Sequence, residues 1–135
     1  MKKRFSLLVF CILIMSMLTA ASPLPETTFT LVRGLPEVMN VGDTATVIVH
    51  VQSDQQFLFA QALPSFQYVG KGVVAVQGGD HQGRGNSATL EITFRAKSPT
   101  TRMPEGVAPV HVVVGVRYPG GYVAVEDYLF NVSVP

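Results

Sequence analysis

The side chains of this chain that could act on a substrate or hold a metal are His50, His81, His111, Ser87 and nine acids. A metal site needs His, Cys, Asp or Glu grouped at short spacings or converging in space. Here the histidines are 31 and 30 residues apart, and His50 and His111 fall mid-strand on the side opposite the apolar residues. They read as solvated strand histidines, and no metal or cofactor is expected. Ser87, in "GRGNSAT", lacks the glycine after it and the strand–turn–helix setting that expose a nucleophilic serine. Glu126 and Asp127 are adjacent, so on a strand they point to opposite faces, and only a bulge would bring them together as a carboxylate pair. No catalytic residue is expected, and the chain reads as a non-enzyme.

The stretch "GGDHQGRGNS" (78–87) carries four glycines. Phosphate-cradling loops end in Gly-Lys-Ser/Thr and open a helix, whereas this one precedes a strand pattern. It reads first as a wide turn whose glycines permit positive φ, and second as a ligand loop. In the second reading Asp80, His81, Arg84 and Asn86 supply the polar contacts.

Two aromatic features suggest contact with a partner instead. "QFLFAQALPSFQYVG" (56–70) holds Phe57, Leu58, Phe59, Phe66 and Tyr68 without one charge. A strand covered on one face needs only half of these, and the surplus suggests burial against another surface. "YPGGY" (118–122) reads as a tight hairpin that sets Tyr118 and Tyr122 against each other across two strands. These seven residues are the partner-contact candidates.

The elements that must position them are strands. "TATVIVHV" (44–51) sets Ala45, Val47, Val49 and Val51 on one face, and "ATLEITFR" (88–95) sets Ala88, Leu90, Ile92 and Phe94 together. "PVHVVVGVRY" (109–118) and "DYLFNVSV" (127–134) alternate in the same way, as strands covered on one face do. Residues 28–33, 56–61 and 72–76 are weaker strand candidates, which makes about seven. Turn signals separate them: "GLPE", "NVGD", "ALPS", "GGD", "PEG" and "YPGG". The segment 96–109, with three prolines, reads as a long irregular connection. Seven short strands without a capped amphipathic helix predict an all-β antiparallel sandwich with Greek-key connections.

The N-terminus has another character. Lys2, Lys3 and Arg4 precede an apolar run from Phe5 to Ala21 that ends in small residues. This is the pattern of a secretory signal, with cleavage expected after Ala21; the alternative is an uncleaved membrane anchor, through residues 5–21 alone. Residues 22–135 then form a single domain. Without residues 1–21 the bases fall from 10 to 7 against nine acids, and the formal charge moves from +1 to −2. That balance offers no electrostatic reason to bind nucleic acid. The only cysteine, Cys11, lies in the apolar run, so the domain must be held by its core rather than by disulfides.

"GLPEVMNVGDTATVIVHVQS" (34–53), with its proline-containing edge and "VGD" turn before a long alternating strand, resembles the opening of bacterial cell-envelope modules of the immunoglobulin-like class. The Tyr118–Tyr122 hairpin and the final "FNVSV" are similar to their last two strands. The resemblance covers most of residues 28–134, although the paired cysteines and core tryptophan of antibody domains are absent. It implies a seven-stranded sandwich in the periplasm, the cell envelope or the secreted fraction. The chain is thus expected to be a structural or accessory interaction module whose partner is another envelope protein or subunit. Two alternatives stand beside it: a small-ligand or carbohydrate-binding module using Tyr68, Tyr118 and Tyr122, and a membrane-anchored accessory subunit.

Overall fold

The computed structural model describes residues 23–64, 72–76 and 82–135. The N-terminal apolar segment, Phe66, Tyr68, Asp80 and His81 lie outside the described residues. Among those described, six strands form: β1 (Thr27–Arg33), β2 (Thr44–Pro64), β3 (Val73–Ala75), β4 (Gln82–Ala96), β5 (Ala108–Arg117) and β6 (Val123–Val132). The only helical turn among them is Pro104–Gly106, within the otherwise irregular connection from β4 to β5. All five strand pairings are antiparallel, in the order β3-β4-β2-β5-β6, with β1 added to β2.

The described residues are therefore all-β but for that one turn, with two departures from the expected strands. Residues 44–51 and 56–61 are not separate; they are one 21-residue strand, β2. The intervening "QSDQ" contains no glycine or proline to end a strand, and the chain turns by bulging instead. β4 likewise starts at Gln82 rather than at residue 88, and β6 at Val123 rather than at 127. Part of the glycine-rich stretch is thus strand, not connector.

β2 and β4 run side by side, but their register jumps from Gln52↔Ser87 to Phe57↔Gly85. Before the jump, the other flank of β2 pairs with β1; beyond it, with β5. Val47, Val49 and Val51 from the first half share one core with Ala60, Ala62, Val112, Val114 and Val116 from the second. The sheet therefore folds over at the jump, and the faces picked out by alternation become its interior.

Glycine makes the corner possible. A β-carbon at Gly83 would lie 2.6 Å from the Cβ of Ala88. Five residues of straight strand would separate those positions by about 17 Å, so β4 turns sharply here. Gly85, between them, has φ +102°, a conformation that favours glycine. Gly83→Ala is expected to cost roughly 1–3 kcal/mol in urea unfolding, because backbone rather than a flexible side-chain end must yield. Gly115→Ala, with open space above the sheet and ordinary backbone angles, is expected to shift stability by under about 0.5 kcal/mol.

Candidate contact surface

Tyr118 fastens the corner from inside. Its hydroxyl donates to Ser53 Oγ at 2.7 Å, and it shares a hydrogen bond of 2.5 Å with Thr27 Oγ1. Ser53 Oγ also accepts the Gln55 N–H at 3.2 Å, so one hydroxyl chain joins the end of β5 to β1 and to the bulge of β2. Phe57 meets the Tyr118 ring edge-on, with centroids 6.3 Å apart and planes at 88°. Tyr118 and Phe57 are accordingly interior, and neither ring is presented to a partner or stacking ligand. Phe59 is half-buried, whereas Leu58 and Tyr122 stand at the surface. The tyrosine pairing expected across the hairpin is present, with ring centroids 5.9 Å apart. It is framed by a three-residue turn in which Tyr118 N–H donates to Tyr122 O and Gly121 N–H donates to Tyr118 O.

Of the four ligand-loop candidates, the described ones are Arg84 and Asn86; both are exposed on β4 at the corner. A nearby contact was not legible from spacing. His50 Nε2 lies 3.4 Å from Ser87 Oγ, and His50 Nδ1 lies 3.1 Å from Thr89 Oγ1. The register His50↔Thr89 creates this group, which no local motif encodes. Its Nδ1 partner is a hydroxyl, where a nucleophilic serine would need a carboxylate to orient and charge the imidazole. With Thr46 and Thr93, whose hydroxyls are 2.9 Å apart, it forms a cross-strand polar ladder.

The outward face of β5 and β6 differs. His111 Nε2 sits 3.7 Å from Asp127 Oδ1, and around this pair the surface is largely apolar. Val123, Val125 and Leu129 are 51%, 55% and 62% exposed on β6, and Leu63 of β2 extends the face through its register with Val113. Gly115 lies between Gln61 and Val125 and leaves a shallow depression above it. On the inner side of β6, burial and the neighbouring Glu126 carboxylate raise the Tyr128 pKa above its ordinary value, so folded stability falls as the pH rises past about 10, where the phenol of the unfolded chain ionises first. Val123, Val125 and Leu129 were missed as contact residues. Their alternation is visible in "VAVEDYL", but only the position of β5 decides which side of it stays open.

These features define an antiparallel all-β protein with an interior tyrosine tie and an exposed apolar strip on its last strand. Neither a protein-family model nor a curated protein matches the chain. Among solved structures it is similar to the native conformation of E. coli alpha-2-macroglobulin, at 17% identity and TM-score 0.48, over 82% of this chain and 6% of that one. It is also similar to the SrpA adhesin from Streptococcus sanguinis, at 14% identity and TM-score 0.45, over 86% of this chain and 59% of that one. The chain thus spans less than two thirds of either protein's length.

Proposed function

We propose that the chain is an exported β-sandwich module of the bacterial cell envelope that works by binding another envelope protein, as a structural or accessory part, with no chemistry of its own. The sandwich reading draws support from the sheet folding over a single core shared by both of its halves. The observation that carries the function is the set of Val123, Val125 and Leu129, large apolar groups left facing water on either side of Asp127. Large apolar side chains exposed together on one face are a common mark of a contact site.

Native mass spectrometry of the C-terminally tagged protein, isolated from its own host, tests this reading. A stoichiometric complex with a second protein is the expected result, and a lone species would overturn it. The same spectrum reads the N-terminus: a chain starting at Ser22 fits cleaved export, and one retaining Phe5 fits the anchored alternative.

A further inference from the structure

The backbone of β6 identifies the contact more closely. In an antiparallel ladder, residues alternate between pairs that exchange hydrogen bonds and pairs that do not. The hairpin sets the phase, because Tyr118 N–H bonds Tyr122 O. With the register unbroken from Arg117↔Val123 to Ala108↔Val132, the even-numbered residues of β6 bond to β5. The N–H and C=O groups of Val123, Val125, Asp127, Leu129 and Asn131 therefore point away from the sheet.

A second observation agrees. Ser133, next in that odd-numbered series, does have an outer partner: its N–H donates to Glu37 O at 2.8 Å, and its C=O accepts from Met39 N–H at 3.0 Å. The segment around Val38 runs parallel to it as a short bridge. The outer edge of β6 is thus already used for strand pairing at its C-terminal end. Among the described residues, nothing continues that pairing from Asn131 back to Val123.

Charge selects the occupant. Glu126 and Asp127 are the only charged residues of β6 and sit at its middle. A second copy pairing about a two-fold axis at Asp127 would set Asp127 against Asp127, which is unfavourable, and one pairing about Tyr128 would set each Asp127 against Leu129 and leave it without a cation. A cation there is favoured instead. We infer that an extended segment of another protein adds to the open edge of β6 as a further strand, its apolar side chains beside Val123, Val125 and Leu129 and a lysine or arginine against Asp127. Main-chain bonds supply affinity in this mode and the alternate side chains supply selectivity. The inference rests on the interaction-module reading and names its site.

The probe is an acetylated nine-residue peptide of alternating valine and threonine with one central lysine, and its counterpart with glutamate at that position. Proline at residue 125 removes an outward N–H and leaves the β5–β6 bonds intact, so Val125→Pro blocks the edge without breaking the sheet. Amide exchange followed by NMR is expected to show fast exchange at Val125, Asp127 and Leu129 in the free protein and slow exchange at Ala124, Glu126 and Tyr128. The lysine peptide is expected to protect the fast set, and to bind at least tenfold more tightly than the glutamate peptide or than it binds Val125→Pro. Equal binding by a Val125→Pro variant with an unchanged circular dichroism spectrum, protection on another strand, or no binding would each overturn the inference. Native mass spectrometry of Val125→Pro from the host separates the two readings. A retained partner complex removes the edge and leaves the module reading standing, whereas a wild-type protein without any complex removes the module reading itself.

Discussion

Replacing Tyr118 with alanine is expected to lower the free energy of unfolding by about 3–5 kcal/mol, the usual range for emptying a large aromatic site. Domains of this kind have only about 5–15 kcal/mol in total, so the variant will sit near its folding threshold. The magnitude follows from position. Tyr118 is 1% exposed, its ring packs against Phe57 and Tyr122, and its hydroxyl reaches β1 and the bulge of β2 together. Tyr118→Phe separates the two contributions. It keeps the ring but leaves the buried Ser53 Oγ with the Gln55 N–H alone as donor and takes from Thr27 Oγ1 its tyrosine partner, and should cost about 1–2 kcal/mol. Urea unfolding of both variants measures the difference. Equal losses would mean that the hydroxyl chain, rather than ring packing, dominates the site.

Thr100→Val is expected to be nearly as damaging, at about 2–4 kcal/mol, although it preserves side-chain shape. Thr100 is fully buried in the connection between β4 and β5. Its hydroxyl donates to Gly106 O at 2.7 Å and accepts the Val134 N–H at 2.8 Å, while its own N–H donates to Val134 O at 2.9 Å. Valine would leave the Val134 N–H and the Gly106 C=O without this partner in an apolar setting, and the C-terminal segment would lose half of its clamp. Thr100→Ser keeps the hydroxyl and loses one methyl, and should recover most of the stability. If serine and valine destabilise equally, the methyl against Gly72 matters more than the hydrogen bonds.

Neither residue stood out in the sequence for these roles. Tyr118 was legible as one of a hairpin pair, and its place at the end of the apolar series Val110 to Val116 already pointed inward. Its hydroxyl partners, Thr27 and Ser53, are 91 and 65 residues away, and no local pattern announces them. Thr100 lay in a segment read only as irregular. Both cases have the same cause: polar groups that close a core are chosen by what lies across it.

By itself, the sequence determined which residues are interior. Alternation along 44–51, 88–95, 109–118 and 127–134 places the same side chains in the core that the folded sheet buries or half-buries, because a strand covered on one face leaves no other choice. It also placed the turn at Tyr118–Tyr122, since consecutive glycines with φ near +90° are what a three-residue hairpin of this kind demands. Only the tertiary structure decided that 44–64 is one strand, that Gly83 and Gly85 form a corner, and that β6 keeps an open edge. Those outcomes depend on register and on strand order, and pairing energy comes from residues far apart in the chain. The strip of Val123, Val125 and Leu129 is the plainest instance: periodicity assigns those side chains to one face, that face is left exposed, and no strand beyond β6 among the described ones pairs with its backbone edge.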